Sequence, residues 1–402
     1  MVRTQARRVL IAGGGIGGLA AALALQRRGF EVVVFERSRA LRDGGAGLHI
    51  WTNGTLVLDH LGVADEVLKI APAQRICRFG SERGELFGAW DVGSFAAKYG
   101  RPTIAVERSV LHGVLRAALT DDPVRTGTGV MDFEQSDGRV TVRLTDGTWE
   151  SGDILIGADG INSTVRTVLF GASKPRYNGY IAWRAKATLA DDRISPGTFH
   201  AVFGPGIRFT YYDVAPGVVH WMSVANGPAG GRDGSGVSAL LAERHRGWVD
   251  PVVDIIAATP EERIIRSDVF DRPPHRRWGR GRVSLLGDAA HPITFNIGQG
   301  ACQALEDAAI LAEELDTTGD PREALRSYER QRRARTAAMQ RTAWLIGRMG
   351  AVEHPALVGL RESIMRRAWP RMAFRAAERD QISYAERWSP MGGDTEIRRE
   401  RA

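Results

Sequence analysis

Cysteine is nearly absent, with only Cys77 and Cys302 in 402 residues. Two thiols so far apart cannot build a disulfide framework or a Cys-rich zinc site, and their scarcity fits a reducing cytoplasm. Lysine is scarce too, at positions 69, 98, 174 and 186 within a Lys plus Arg total of 54. A skew toward arginine along the whole chain, with a net charge of +7, reflects composition and marks no nucleic-acid site. Long apolar runs are missing too. Residues 9–25 are uncharged and follow Arg7 and Arg8 in the manner of a signal peptide, but five of them are glycine, which suits neither a signal nor a membrane helix. No other stretch approaches the 18 or so apolar residues that a span needs. No His or carboxylate cluster has ligand spacing, so no metal is expected. These absences lead to an expectation of a soluble, cytoplasmic protein, monomer or homodimer, without nucleic-acid partner or membrane span.

What is present is an ordinary globular composition, 43% hydrophobic and 25% charged, long enough for two or three folded units. Near the start, a short apolar run ends in Gly13-Gly14-Gly15-Ile16-Gly17-Gly18 and a helical pattern follows, closed by Gly29. Gly13, Gly15 and Gly18 supply G-x-G-x-x-G: the first for the turn, the second for close approach of a pyrophosphate, the third for helix–strand packing. The helix N-terminus offers N–H groups and its dipole to phosphate. A second strand, EVVVFE, ends at Glu36, eighteen residues past Gly18, placed to accept from a ribose diol. A carboxylate there disfavours a 2′-phosphate, so FAD or NAD fits better than NADP at this site.

Two further motifs separate those cofactors. In DILIGADGINSTVR an apolar strand leads into Asp159, Gly160, Ser163 and Arg166. In RVSLLGDAAHPITFNIGQGACQ a strand ends at Gly287-Asp288, a loop passes His291 and Pro292, and Gly298, Gln299 and Gly300 open an amphipathic helix. Asp288 therefore stands at the carboxyl edge of a parallel sheet, where open α/β folds bind ligands, and a helix beginning near Gly300 aims its positive end at the same place. His291 reads as a loop-packing residue and Cys302 as core.

With these three motifs in order, the chain resembles the class A FAD-dependent aromatic monooxygenases, in the branch of salicylate hydroxylase-like and zeaxanthin epoxidase-like enzymes, over roughly residues 7 to 340. VERSVLHGVLRAAL places Arg108 at the family's FAD-contacting arginine, and YIAWRA places Trp183 and Arg184 in its sheet-entry segment. The resemblance implies noncovalent FAD, with Glu36 on the adenosine ribose, Arg37, Arg108, Gly298, Gly300 and Ala301 in contact with the cofactor, and Asp288 on the ribityl chain. It puts Asp159 in a motif serving both FAD and the reduced nicotinamide. It also implies that NADH or NADPH reduces the flavin and that a flavin hydroperoxide then passes one oxygen atom from dioxygen to an electron-rich aromatic, polycyclic or unsaturated small molecule.

The fold expected is α/β: a Rossmann-like FAD-binding domain formed by residues 1–75, 100–175 and 275–340. An antiparallel substrate sheet is inserted from 76–99 and 176–274, and 341–402 form a C-terminal helical segment. Alternation in YIAWRAKATL, TFHAVFG, IRFTYYDV and VVHWMSVAN marks the substrate strands. Their pocket candidates are Arg184, His200, Arg208, Tyr211, Tyr212, His220 and Trp221, of which alternation lets only about half face inward. Two departures from the family pattern stand out: Phe295 replaces the Pro usual before Asn296 and is expected beside the flavin as one wall of the pocket, and Asp213 stands where a Pro is common. The arginines at 330, 332, 333, 335 and 341 are expected on a solvated helix face. A halogenase is disfavoured because no two of the ten tryptophans have Trp-x-Trp-x-Ile-Pro spacing; an isoprenoid-chain reductase or a flavin scaffold without turnover remains open.

Overall fold

The computed structural model describes residues 8–39, 47–136, 138–379 and 383–389. Its first strand, Arg8–Ala12, is central. Glu31–Glu36 and then Val124–Thr126 lie on one side, Ile154–Gly157 and then Val283–Leu285 on the other, all parallel, with Gly279–Arg280 closing the edge antiparallel. These strands read as unbroken Val, Ile and Leu because both faces are covered; Val9, Leu10, Ile11, Ile154, Leu155 and Val283 have no exposed surface. Helix Ile16–Gln26 packs against helix Gly300–Thr317. The chain leaves the central strand to one side and returns to the other, so the crevice at the strands' carboxyl ends is a topological switch point.

A seven-stranded sheet draws its strands from two separate regions, in the order Ile265–Asp271, Arg176–Thr188, Val218–Asn226, Ile207–Ala215, Thr198–Phe203, Ile76–Ser81, Leu86–Asp91. Contrary to expectation, it is not wholly antiparallel. Thr198–Phe203 runs parallel to Ile76–Ser81, which is possible because the long chain between residues 81 and 198 supplies the crossover that a parallel pair requires. One face buries Trp183, Phe209 and Trp221 under helices Val237–Arg244 and Val252–Ala257. The opposite face carries Ala182, Arg184, Arg208, Tyr212, His220 and Met222 in register and is the inner one, turned toward the strand Gly47–Ile50.

Helix Pro321–Gly350 runs unbroken across residues 340 and 341, and helices Pro355–Arg367 and Trp369–Ala377 follow it. Asp320 caps it through the Arg322 N–H, and Pro321 suits its first turn. The expectation of a solvated arginine face holds for Arg330 and Arg341, which are exposed, and fails for two others. Arg332 is completely buried. Its guanidinium meets Asp307 at 2.7 Å, Glu306 at 2.5 Å and the Gln303 side-chain oxygen at 2.6 Å, while Arg335 adds a bidentate contact to Glu306 at 2.8 and 2.9 Å. Burial alone would push both carboxyls up, but Arg332, with Arg335 at Glu306 and His291 at Asp307, holds them below their ordinary range.

Two expectations follow. Arg332→Ala leaves two buried carboxylates without their shared cation and lowers stability by about 3 to 5 kcal/mol, whereas Arg330→Ala, on the exposed face, changes it by less than about 0.5 kcal/mol; chemical denaturation of the two variants measures the difference. The second concerns acid. Burial pulls His49, His200 and His245 down to about 4 and His220 to about 3. In the unfolded chain the same imidazoles take protons near 6.5. Between these values the unfolded state binds more protons, so stability falls as pH drops below about 6.5 toward 4. Denaturation midpoints measured through that window decline, and His200→Gln makes the decline shallower.

Candidate functional site

The Gly-rich turn is shaped by contacts only glycine permits. Gly13 has φ +106°, and a Cβ there would lie 2.4 Å from the Ala158 carbonyl oxygen of the adjacent strand end; one at Gly18 would strike the Gly13 carbonyl. Around Gly15 the space is open, with no heavy atom within 4 Å of where a Cβ would stand. It is the N-cap of helix Ile16–Gln26, which has neither a side-chain cap nor an acid in its first turn. The helix N–H groups therefore face open space, as an anion site requires. Both peptides flanking Gly14 are tied down: the Gly14 N–H donates to Glu36 Oε2 at 2.8 Å, and the Gly14 carbonyl accepts from His112 Nε2 at 2.6 Å. Glu36 Oε1 accepts from the Ser38 N–H at 2.9 Å, which leaves lone pairs on both oxygens. Arg37 follows, exposed at the same sheet edge.

In the second motif, Asp159 Oδ2 accepts from the N–H groups of Thr164 and Val165 at 2.7 and 3.2 Å, while its Oδ1 is buried with no partner. Burial raises its carboxyl above the ordinary range against the pull of Ser163 and the backbone donors. Arg166, buried, donates to the carbonyls of Ala289 and Ala290 at 3.1 and 3.4 Å and so ties this motif to the third. There, Asp307 Oδ2 accepts from the Gly287 N–H at 3.0 Å and from His291 Nε2 at 2.5 Å. His291 is thus buried packing, fixed by a carboxylate.

Asp288 is different from its neighbours. Its side chain reaches solvent although Gly287 and Ala289 on either side are buried, and the surrounding protein is dense enough to raise its carboxyl, opposed by His291 and Arg108. Both observations fit a carboxyl that is open to solvent on one side and closely surrounded by protein on the others. Arg108, exposed at the start of helix Arg108–Ala117, is close by, since its charge is felt by Asp288, His112 and Arg184. Gly298 has φ +65°, where a Cβ would press on Trp51 Nε1 at 2.8 Å. Gly300 and Ala301 begin helix Gly300–Thr317, again without side-chain cap or acid in its first turn.

The seven pocket candidates divide by strand alternation. Arg184, Arg208, Tyr212 and His220 lie on the inner face. His200, Tyr211 and Trp221 lie on the outer one, where His200 stacks on Tyr211 at 4.4 Å and Trp221 donates to Thr259; they are removed from the pocket because each is an odd number of residues along its strand from an inner position. Two of the inward residues are already occupied. His220 Nδ1 accepts from the Gly47 N–H at 3.0 Å, so it fastens the strand Gly47–Ile50 to the sheet. Arg208 donates to Asn296 Oδ1 at 2.7 Å and lies over the Tyr180 ring, holding the Phe295 loop. Phe295 is half-buried, edge-on to Tyr180 at 6.4 Å and packed against the cluster of Tyr180, Ala182, Val224 and Val269.

Three residues of the site have no counterpart among the sequence candidates. His112 is one; its signal was a lone histidine on the apolar face of an amphipathic helix beside Arg108. The others are His49 and Trp51. His49 sits among Trp51, Phe199 and Tyr212 with ring centroids at 5.2, 5.4 and 5.7 Å. His49 Nε2 and Trp51 Nε1 are buried with no partner, and burial holds the imidazole at about 4, neutral.

The residues fit FAD. Two uncapped helix N-termini and a glycine turn suit a pyrophosphate, Glu36 suits a ribose, and Asp288 with the orphan Oδ1 of Asp159 asks for donors of the kind a polyol supplies. The model of the FAD binding domain family matches residues 6–195 and 269–343. Aurachin C monooxygenase/isomerase of Stigmatella aurantiaca is 38% identical, covering 89% of this chain and 93% of that one. Chloroplastic zeaxanthin epoxidase of Oryza sativa subsp. japonica is also 38% identical, over 89% of this chain but 58% of the relative, so the chain spans a little over half of that protein. Among solved structures, Klebsiella pneumoniae HpxO complexed with FAD and uric acid superposes with a TM-score of 0.87 at 30% identity, covering 96% of this chain and 98% of that one. Given this agreement between cleft and relatives, the chain belongs to the FAD binding domain family and is a class A FAD-dependent monooxygenase.

Proposed function

We propose that the enzyme uses NADH or NADPH to reduce noncovalently held FAD and inserts one atom of dioxygen into an electron-rich aromatic, polycyclic or unsaturated small molecule. The observation that carries the substrate class is the inner wall: His49, Trp51, Phe199 and Tyr212 form a nest of rings, with Phe295 on the neighbouring loop. Planar apolar matter suits such a wall, and the unpartnered His49 Nε2 and Trp51 Nε1 offer one or two polar contacts to orient it. Uric acid, bound by Klebsiella pneumoniae HpxO, and zeaxanthin and aurachin, for which the relatives are named, are conjugated or ring-bearing molecules.

Bound FAD supplies the activation of dioxygen once reduced; everything else falls to this chain. Glu36, the Gly13 to Gly18 turn and Asp288 would hold the cofactor. The N-terminus of helix Gly300–Thr317 and Arg108 would supply positive potential to stabilise negative charge on the reduced cofactor. Arg184, half-buried with its Nε unpartnered, faces the same space and is the inner-wall cation left to meet an anionic group of substrate or nicotinamide. The ring nest excludes water. Both cysteines are buried with thiols pushed up to about 12, which favours noncovalent retention. The reading is tested by screening ring-bearing compounds for stimulated NAD(P)H consumption, with mass detection of a product heavier by one oxygen atom; consumption that never yields such a product defeats it.

Two variants probe the assignment. Asp288→Ala removes a charge-assisted hydrogen bond to the cofactor worth about 1.5 to 3 kcal/mol, or about one to two decades of FAD affinity. Asp213→Ala should leave FAD content alone, because Asp213 only accepts from Gln74 and the Gly197 N–H at 3.2 and 3.0 Å; flavin absorbance after dialysis compares them. Phe295→Ala opens the pocket wall and is expected to raise hydrogen peroxide released per NAD(P)H while FAD content and melting temperature stay near normal. A lowered melting temperature with unchanged coupling would instead make the ring a packing element.

A further inference from the structure

Helix Pro355–Arg367 is apolar on two faces. The inner one is anchored: Met365 is buried with Phe87, Ala201 and Phe203, and Arg361 is buried, donating to the Gly204 carbonyl at 3.2 Å. The other face points away from the protein. Leu357, Leu360 and Ile364 follow at helical spacing, so they form one stripe, and they are 54%, 57% and 48% exposed. Three large aliphatic side chains in a row is an unusual thing for a helix to show to water when its own core contacts are complete. One turn beyond Ile364 the stripe ends in Arg367, exposed. On this helix and the next, Arg367, Arg371 and Arg375 are exposed, while Arg361 is buried and Arg366 is paired with Glu85. Such a surface repels a second copy of itself and matches an anionic one.

We propose that this face docks the enzyme on an anionic lipid bilayer, with Leu357, Leu360 and Ile364 entering the boundary between headgroups and acyl chains and the neighbouring arginines on the phosphates. No described helix is long and apolar enough to cross a membrane, so the attachment is peripheral and reversible. The arginines contribute attraction that salt screens, and the aliphatic stripe contributes the part that salt does not.

The test is flotation of FAD-loaded enzyme with vesicles of phosphatidylcholine alone or mixed with phosphatidylglycerol, at low and high salt. The expected result is binding to the anionic vesicles, weakened by salt, and reduced about tenfold or more in a variant carrying Leu357→Gln, Leu360→Gln and Ile364→Gln. That variant keeps its FAD content and melting temperature, because the three side chains are solvent-exposed. Arg367→Gln with Arg371→Gln weakens binding as well and flattens its salt dependence. Wild-type enzyme that fails to float with anionic vesicles at low salt overturns the proposal. So does binding undiminished in the triple glutamine variant, which would be charge attraction alone. A wild-type dimer in light scattering that becomes monomeric in that variant, without vesicle binding, assigns the face to a second copy and overturns it equally.

Discussion

The Arg332 guanidinium, buried between Glu306 and Asp307, is the interaction on which the cofactor cleft depends. Taken singly, each of these charges is expensive to bury. Together they close: Arg332 reaches both carboxylates and Gln303, Arg335 and Asn53 complete Glu306, and His291 and the Gly287 N–H complete Asp307. With both carboxylates fully bonded, the network is rigid because no single bond to them can be given up without leaving a charge in a low dielectric. Its rigidity has a direction. Asp307 fixes Gly287 and His291, and those bracket Asp288, which is exposed while its flanking residues are buried. A packing interaction between two helices becomes, one residue later, the placement of an exposed carboxylate.

The same logic recurs at the other motifs, where short polar links bind segments distant in sequence. Arg166 joins the second motif to the third through two carbonyls, and His112 joins the helix after Glu107 to the Gly14 peptide. The Gly14 backbone then has its N–H spent on Glu36 and its carbonyl spent on His112, so neither is left for a ligand. The N–H groups that follow, at the open Gly15 end of the helix, are the ones left for a ligand.

Much of this was legible in the chain because the motifs are local: a Gly turn, a strand of Val and Ile, and an acid at its end lie within a few residues and carry their own geometry. The parallel sheet and the three carboxylates near its carboxyl edge could be anticipated on that basis. What escaped was set by distant pairing. Nothing near Arg332 distinguishes it from Arg330, two residues away, yet one is buried and the other exposed, because only the first meets Glu306 and Asp307 across the helix pair. Alternation showed that some of the pocket candidates must face away, but which ones depended on the side taken by helices Val237–Arg244 and Val252–Ala257. His49 escaped for the same reason, since its partners Phe199 and Tyr212 arrive from strands far along the chain.

The charges left over after these internal bonds describe the ligand. Lys186 is neutralised by Glu107 at 2.5 Å, Arg208 is committed to Asn296, and burial keeps His49 and His220 neutral. What still faces the cleft is Arg108 and Arg184, two uncapped helix N-termini, and the carboxyls of Asp159 and Asp288, both raised by burial. A carboxyl raised in this way is short of donors, and a helix N-terminus without a cap is short of acceptors. Water meets each need weakly and separately. A dinucleotide meets both at once, with phosphates for the N–H groups and hydroxyls for the carboxylates, so the protein's own unsatisfied groups favour the molecule that pairs these two functions at fixed separation.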